Sequence, residues 1–405
     1  MTVNRNYKFI LLALCSILVM SGCLHTGQKV SENPLTTAPL NKEAIVDSMI
    51  DKMTLAEKVG QLLVIGVKGT SFSREMDNLV RNYHVGGVIV MGQNITTTPQ
   101  MLELINAIKE ANESNKNPLF LSVDEEGGRV SRLPAGIAKL PTSAQIGKLN
   151  DESLSYRAGA YLAEVLNEFG YNMNFAPVLD VNSNPKNPVI GDRSFGSDSN
   201  QVAKIGIATM HGMMDNGIIP VVKHFPGHGD TIVDSHKALP KVETTMERLR
   251  SIELVPFQKA IDEGVDAVMV AHILFPVLDP NYPSSLSKAV ITELLRKEMQ
   301  FEGVIITDDL SMGAIANGYT IPEAAVQSFI AGSDLLLVVR DYDDQINTFN
   351  ALLTAIEAGE ITEERLNESV KRIMMLKEKY GLSDEVHEKV DVNKINEMFD
   401  KLQFK

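Results

Sequence analysis

The chain reads IIPVVKHFPGHGDTIVDSH between Ile218 and His236. The first five residues form a short apolar run, which is typical of a buried β-strand. The fourteen residues that follow are rich in polar side chains and hold three of the chain's eight histidines. Gly227 and Gly229 allow a sharp turn among them. Because barrels and open α/β sheets bind ligands at the C-terminal ends of their strands, we interpret this segment as a strand that leads into a catalytic loop.

Two other interpretations of the histidine cluster stay open at this stage. His228, Asp230, Asp234 and His236 are all residue types that bind divalent metal ions. The segment offers no helical pair of histidines one turn apart, however, which is a common arrangement at metal sites. The second interpretation is a polar surface loop whose histidines have no role, although so dense a cluster is unusual for a loop.

Apolar runs of strand type alternate with helical patterns along most of the chain. The strand-type runs lie at residues 61–67, 85–91, 119–123, 173–179, 218–222, 267–271, 304–307 and 335–339, and the helical patterns at 44–53, 72–83, 98–112, 153–169, 200–216, 245–263, 288–299, 322–331, 343–358 and 363–380. Eight strands that alternate with helices predict an α/β fold, a (β/α)8 barrel of the TIM type that forms a single catalytic domain. A doubly wound sheet built from the same elements is the alternative.

Charged or polar side chains end five of the predicted strands, namely Asp124, Asp180, Lys223 with His224, His272 and Asp308. An unpaired buried charge is costly, so these side chains need either a polar ligand or one another. In a closed barrel they would converge on one face. The sequence therefore predicts a polar site at this face, with salt bridges across the barrel mouth as the structural alternative.

Two of these segments resemble a known family. Residues 223–229 read KHFPGHG and are followed, after a short gap, by Asp234-Ser235-His236. This pattern resembles the signature of family 3 glycoside hydrolases of the β-N-acetylglucosaminidase type. Residues 303–313 read GVIITDDLSMG and resemble the nucleophile segment of the same family. The resemblance extends from about residue 43 to 380. It implies the barrel fold and a retaining exo-β-N-acetylglucosaminidase that hydrolyses terminal N-acetylglucosamine from peptidoglycan fragments (muropeptides).

The resemblance assigns the reacting groups to the same two segments. It implies that Asp308 is the nucleophile, and its neighbour Asp309 stays open as the alternative. It implies that His236 and Asp234 form an acid/base dyad on a mobile loop. An imidazole titrates near neutrality, and a carboxylate partner orients the ring and stabilises its charged form. This chemistry requires no metal and no organic cofactor.

The resemblance also implies a set of substrate-binding residues. Each sugar hydroxyl both donates and accepts a hydrogen bond, so carboxylates, lysine and arginine suit it. The implied sugar-binding positions are Asp124, Arg193, Lys223 and His224, with Arg129 and Asp180 near the same site. The expected partner is a small carbohydrate, namely an N-acetylglucosaminyl muropeptide or disaccharide.

The N-terminus resembles a bacterial lipoprotein signal. Arg5 and Lys8 precede an apolar run, residues 9–20, that is too short to span a bilayer comfortably. Cys23 follows small residues and is the expected lipidation site, with residues 1–22 as the signal peptide. Residues 23–42 are then the lipidated cysteine and a flexible tether. This predicts an extracytoplasmic protein that is anchored to the bacterial cell membrane by lipid only. An ordinary secretory signal is the alternative.

Composition narrows the remaining choices. The formal net charge of −14 becomes −16 without residues 1–22, which carry two basic side chains and no acidic ones. So acidic a protein is a poor binder of nucleic acid. Cys15 and Cys23 are the only cysteines, so the expected barrel of residues 43–383 has no thiol for a disulfide or a metal site. Residues 384–405 are too few for a second domain and are expected to form a helical extension.

Three other functions stay open from the sequence. A lipid-anchored solute-binding protein is also α/β and often acidic, but it would have two lobes and no nucleophile paired with an acid. A metal-dependent barrel hydrolase would use the histidine cluster as ligands. A phosphorolytic relative would use phosphate in place of water.

Overall fold

The core of the protein is a sheet of parallel strands. A computed structural model describes residues 42–404. The strands are β1 Leu63–Gly66, β2 Gly87–Ile89, β3 Phe120–Val123, β4 Met173–Asn174, β5 Ile219–Phe225, β6 Ala267–Val270, β7 Val304–Thr307 and β8 Leu336–Val338. Every residue of these strands is buried. Burial on both faces explains why the sequence shows the strands as apolar runs rather than as an alternating pattern.

The sheet closes on itself. β1 pairs in parallel with β2 on one side and with β8 on the other. From β2 to β7, each strand lies next to the one that follows it in the sequence. A parallel bridge between Ile306 of β7 and Leu335, the residue before β8, joins the two ends. The predicted (β/α)8 barrel is therefore confirmed. The doubly wound sheet is excluded, because an open sheet would leave two unpaired edges.

Helices surround the barrel. They are α1 Lys42–Ile50, α2 Leu55–Gln61, α3 Arg74–Tyr83, α4 Thr98–Asn112, α5 Ser143–Leu149, α6 Glu152–Phe169, α7 Ser199–Met214, α8 Met246–Arg248, α9 Leu254–Asp262, α10 Gly313–Ala316, α11 Ile321–Ala331, α12 Tyr342–Glu357, α13 Glu363–Lys379 and α14 Val392–Asp400. Two π-helical segments, Leu249–Glu253 and Ala289–Glu298, interrupt the helical patterns predicted there. Thr54 and Glu57 form a capping box at the start of α2. This helix ends at Gln61, so β1 begins at Leu63 rather than at the predicted residue 61.

Two strands differ from the prediction at the end that faces the site. β4 stops at Asn174 instead of continuing to residue 179, because Pro177 has no N–H to donate to a neighbouring strand. β5 extends to Phe225, so Lys223 and His224 belong to the strand and not to the loop. The pairing of β5 with β6 shifts register between Val222 and Phe225. Such an irregularity re-aims side chains at the rim of a barrel.

The C-terminal segment packs on the outside of the barrel. In α14, the ring of Phe399 lies edge-on to Tyr161 of α6, with 5.6 Å between ring centroids. Lys394 donates to Glu168 of α6 at 2.9 Å. Within residues 42–404, no helix has both the length and the apolar character needed to cross a bilayer. The predicted signal peptide, Cys23 and the tether up to residue 41 lie outside the described residues.

Candidate active site

A cavity of about 480 Å³ opens at the C-terminal ends of the strands. Its volume lies in the range of small-molecule sites. Most of the residues expected at the site line it, namely Asp124, Arg129, Arg193, Lys223, His224, Asp234, His236 and Asp308. Asp180 is the exception. The barrel thus brings together side chains that are more than 180 positions apart in the chain.

One wall of the cavity is a network of two cations and two carboxylates. Lys223 Nζ donates to Asp124 Oδ1 at 2.6 Å and lies 2.8 Å from Glu126 Oε1. Arg193 holds the same Glu126 with two nitrogens, at 2.7 and 2.8 Å. Burial on its own lowers the pKa of Lys223, but Asp124 and Glu126 outweigh it and raise that pKa above its ordinary value. The ammonium therefore stays charged and faces the cavity from a fixed position.

Sequence reasoning did not assign a role to Glu126. The signal was present, because Glu125 and Glu126 directly follow Asp124 after β3. Glu125 turns away from the cavity and accepts the backbone N–H of Arg132 at 2.6 Å, and its burial raises its pKa to about 7. Burial also opposes ionisation of Glu126, but Arg193 and Lys223 lower its pKa far below the ordinary value. Only the folded structure shows which of the two glutamates faces the cations.

Asp180 lies behind the cavity and not in its wall. It is fully buried, and its Oδ2 accepts the Nδ1 proton of His224 at 2.6 Å. Its Oδ1 accepts the backbone N–H of His228 at 2.6 Å. Burial favours the neutral carboxyl, but His224 and His228 beside it lower the pKa of Asp180 below its ordinary value. The expectation that Asp180 binds substrate is therefore corrected: it orients His224, whose ring reaches the cavity.

Asp308 and Asp309 have different surroundings at the end of β7. Asp308 Oδ1 accepts only the backbone N–H of Asp309, at 2.8 Å, among the hydrogen bonds of the described residues. Asp309 Oδ1 accepts the backbone N–H groups of Ser311 and Val339 at 3.0 and 3.1 Å, and both its oxygens accept the Ser311 hydroxyl. Asp309 is thus tied into its own loop, whereas Asp308 keeps acceptor capacity for a ligand.

The protonation of the two aspartates also differs. Burial would raise the pKa of Asp308, but His272 and His224 nearby lower it below the ordinary value. Burial raises the pKa of Asp309, and the charge of Asp308 adds to the effect. His272 is fully buried. Its Nε2 donates to the Asp309 carbonyl at 2.9 Å, and its Nδ1 lies 2.7 Å from Ser285 Oγ. Asp308 is therefore the more acidic carboxylate of the pair.

Asp234 and His236 lie together on the loop after β5. Nδ1 of His236 donates to Asp234 Oδ1 at 2.9 Å, and the backbone N–H of His236 donates to the same oxygen at 3.0 Å. This leaves Nε2 of His236 free to exchange a proton with a ligand. Burial would raise the pKa of Asp234, but hydrogen bonds from His236 lower it. The His236 side chain is 59% exposed, so a ligand can reach this nitrogen.

The four candidate metal ligands do not converge. Both ring nitrogens of His228 are engaged, with Thr231 Oγ1 at 2.7 Å and Ser235 Oγ at 3.1 Å. Asp230 pairs with Arg248 at 2.9 Å. Within residues 42–404 there is no group of three or more His, Cys, Asp and Glu side chains that could hold a metal ion. Burial lowers the pKa of His228 to about 4, so this ring is a neutral internal support of the loop.

Two arginines follow the β3 end, and they differ in their freedom to contact a ligand. Arg129 donates to Asp192 at 2.7 Å and to the Val189 carbonyl at 2.6 Å, so most of its guanidinium donors already have partners. Arg132 also lines the cavity, and its buried Nε has no hydrogen-bond partner among the described residues. A buried donor without a partner is costly, and a ligand oxygen would satisfy it. The unpartnered Nε therefore makes Arg132 a candidate binding residue.

A closed parallel barrel, with an ionised carboxylate and a His–Asp pair at the C-terminal ends of its strands, defines a (β/α)8-barrel hydrolase. Residues 54–376 match the family model described as Glycosyl hydrolase family 3 N terminal domain. The chain belongs to glycoside hydrolase family 3. The resemblance inferred from residues 223–236 and 303–313 is thereby confirmed.

Relatives with known names support the same assignment. A β-hexosaminidase of Idiomarina loihiensis is 34% identical, with the alignment covering 77% of this chain and 92% of that protein. Beta-hexosaminidase A of Pseudoalteromonas piscicida is 35% identical over 76% of this chain, which spans only 56% of that longer protein. The solved family 3 β-N-acetylglucosaminidase of Paenibacillus sp. str. FPU-7 is 41% identical with a TM-score of 0.81, covering 86% of this chain and 68% of that one.

Proposed function

We propose that this protein is a retaining exo-β-N-acetylglucosaminidase that removes terminal N-acetylglucosamine from muropeptides. One observation carries the proposal: an ionised carboxylate, Asp308, and a His–Asp pair, His236 with Asp234, line the same cavity. A retaining glycosidase needs a nucleophile and a separate acid/base. The names of the Idiomarina and Paenibacillus relatives support the amino-sugar specificity.

In the first step, Asp308 attacks the anomeric carbon of the sugar. The glycosidic C–O bond breaks as a C–O bond to the Asp308 carboxylate forms. Nε2 of protonated His236 gives its proton to the departing oxygen, and Asp234 accepts the Nδ1 proton throughout and so keeps the ring oriented. Neutral His236 and a glycosyl-enzyme remain.

In the second step, water enters from the side of the departed group. Neutral His236 takes one proton from this water, and the oxygen attacks the anomeric carbon. The bond to Asp308 breaks, and its carboxylate is regenerated. Two inversions at the same carbon give net retention of configuration.

The polar wall holds the sugar during both steps. Asp124, Lys223 and His224 offer acceptors and donors in fixed positions, because Glu126 and Asp180 hold the cationic and imidazole groups from behind. We assign direct contacts to Arg132, whose Nε has no partner among the described residues, and to Arg193, whose Nη1 makes only a 3.4 Å bond to the Val189 carbonyl. Arg129, which donates to Asp192 and Val189, is assigned a supporting role. Because these charges are already in position, they need little reorganisation when the transition state forms.

An anionic aglycone fits the rim of the cavity. Arg340 follows β8, is exposed, lines the cavity and forms no ion pair with any residue in 42–404. Muropeptides carry lactyl or peptide carboxylates, which suit a free guanidinium. We expect Arg340→Gln to lower kcat/KM about tenfold on a muropeptide and to leave a neutral N-acetylglucosamine disaccharide unaffected. Equal losses on both substrates would contradict an anionic aglycone.

The decisive experiment follows the products in time. Purified protein is incubated with an aryl N-acetyl-β-glucosaminide and with a muropeptide, and NMR records the first anomer released. The proposal predicts N-acetylglucosamine released first as the β anomer, with full activity after exhaustive chelation. Binding without turnover would indicate a solute-binding protein, and loss on chelation a metal-dependent hydrolase. N-acetylglucosamine 1-phosphate formed in phosphate buffer would indicate phosphorolysis.

We also propose that Cys23 anchors the mature protein to the outer face of the bacterial cell membrane. The support is sequence alone: the apolar run 9–20 followed by Ser21, Gly22 and Cys23. Cys23→Ala is expected to move the protein from the membrane fraction to the medium, or to leave it unprocessed. A lipid-labelled mature protein in the Cys23→Ala strain would contradict the anchor.

A further inference from the structure

The loop that carries the acid/base is bound to the segment that follows the nucleophile. Three consecutive carbonyls of the loop, those of Ser235, His236 and Lys237, accept hydrogen bonds from one short turn. The donors are Ala314 N–H at 3.0 Å, Gly313 N–H at 3.3 Å and Asn317 Nδ2 at 3.0 Å. We call residues 313–317 the docking turn. It begins five residues after Asp308. A short stretch of chain and these hydrogen bonds therefore connect Asp308 to the loop that carries His236.

The same loop is also supported by one of its own buried side chains. The Ser235 hydroxyl lies 3.1 Å from Nε2 of His228, which is buried and whose Nδ1 lies 2.7 Å from Thr231. The loop is therefore held on its inner side by a buried ring and on its outer side by the docking turn. The outer contact consists of hydrogen bonds to backbone carbonyls, which any loop sequence could make if the backbone approached closely enough.

Close approach depends on Gly313. A Cβ at this position would lie 2.8 Å from the carbonyl oxygens of both His236 and Lys237. Those atoms are backbone, so they cannot yield as the tip of a flexible side chain can. Gly318, five residues later, is different: the nearest atom to a Cβ there is the Ile315 carbonyl oxygen at 4.0 Å. Neither glycine has the left-handed φ that would by itself disfavour alanine.

We propose that the docking turn is a positioning element for proton transfer: Gly313 and Asn317 hold His236 at a fixed place relative to Asp308. This rests on the acid and nucleophile roles proposed above. Neither residue lines the cavity. Their effect on the reaction therefore passes through the loop, and it should appear in proton transfer and not in sugar binding.

The test compares Gly313→Ala with Gly318→Ala. Gly313 is the first residue of α10 and Gly318 is exposed in the turn after it, and neither needs a left-handed φ, so both variants are expected to fold. In Gly313→Ala, we expect kcat on an N-acetylglucosamine disaccharide to fall by about 10²-fold, at the lower end of general acid catalysis. A dinitrophenyl glycoside, whose leaving group needs no proton, should lose much less in its first turnover. Gly318→Ala should match the wild type on both substrates. Asn317→Ala, which removes one hydrogen bond, should show the same pattern more weakly.

A structural measurement separates this proposal from the proposed function. Hydrogen exchange of loop residues 230–240 should be faster in Gly313→Ala than in Gly318→Ala. If exchange were faster in Gly313→Ala but the losses on the disaccharide and the dinitrophenyl glycoside were equal, the positioning role would be overturned. Unchanged exchange and unchanged activity in Gly313→Ala would overturn it as well. If the wild type showed no N-acetylglucosaminidase turnover at all, the proposed function would fail instead, and the exchange result would still report whether the turn holds the loop.

Discussion

Glu126 binds both cations of the cavity wall, Lys223 and Arg193, and each of the three side chains is almost fully buried. Removing one partner from a buried ionic network leaves uncompensated charge, which costs far more than the loss of an exposed ion pair. The sequence placed Lys223 and Arg193 at the site by resemblance. It could not show the contact with Glu126, because that contact joins residues 67 to 97 positions apart that only the closed barrel brings together.

Glu126→Gln tests this network. It should lower the free energy of unfolding by roughly 3–5 kcal/mol and reduce sugar affinity, because Lys223 and Arg193 lose their shared anion. Asp192→Asn is the matched control. It breaks the half-exposed pair with Arg129 and should cost no more than about 1 kcal/mol. Denaturant unfolding measures both variants, and equal stability of Glu126→Gln and wild type would refute the role of the network.

Asp308 and Asp309 are adjacent carboxylates, and the sequence left both open as the nucleophile. The ladder of hydrogen bonds around Asp309 and the lowered pKa of Asp308 now distinguish them. A 2-fluoro glycoside with a good leaving group is expected to label Asp308, as peptide mass spectrometry would show. Asp308→Ala should lose several orders of magnitude in kcat with an unchanged melting temperature. Labelling of Asp309 would contradict the assignment.

At the scale of elements, the strand positions followed from their apolar runs, because fully buried parallel strands need continuous apolar sequence. The ends of β4 and β5 did not follow. Lys223 and His224 look like loop residues in the sequence, yet they are strand residues. Asp124, which follows β3, and Asp180, in the loop after β4, pair with them. Tertiary partners decide where a strand with polar residues ends, and a single sequence does not show those partners.

The loop after β5 packs against the loop after β4 at Gly229. A Cβ there would lie 1.7 Å from the Val181 carbonyl oxygen. Gly229→Ala is therefore expected to force the two loops apart and to cost about 1–3 kcal/mol, the usual range for overpacking. The activity on disaccharides should fall with it. Thermal unfolding beside the Gly318→Ala control would test this, and an unchanged melting temperature for Gly229→Ala would show that the loops separate freely.

At the scale of the whole molecule, the barrel brings Asp124, His236 and Asp308 to one cavity from widely separated parts of the chain. The count of alternating elements predicted this architecture, and motif resemblance predicted eight of the residues that line the cavity. Glu126 was missed because Glu125 beside it has the same chemistry, so the sequence does not show which of the two faces the cations. Which of the two glutamates faces the cavity depends on the loop after β3, where Gly127 and Gly128 both adopt positive φ. That turn reverses the chain within two residues, so no simple periodicity predicts which side chains face the cavity.

Asp308 is proposed as the nucleophile and His236 as the separate acid/base. The dependence of the His236→Ala rate on the leaving group tests these two roles most directly. An aryl group with a low pKa leaves without a proton, whereas a sugar hydroxyl does not. We predict that His236→Ala loses roughly 10²–10⁴-fold more rate on a disaccharide than on a nitrophenyl N-acetylglucosaminide, the range of general acid catalysis. The aryl substrate should show a burst as breakdown of the glycosyl-enzyme becomes limiting, and azide should accelerate that breakdown. Equal losses on both substrates, with no burst, would contradict the account.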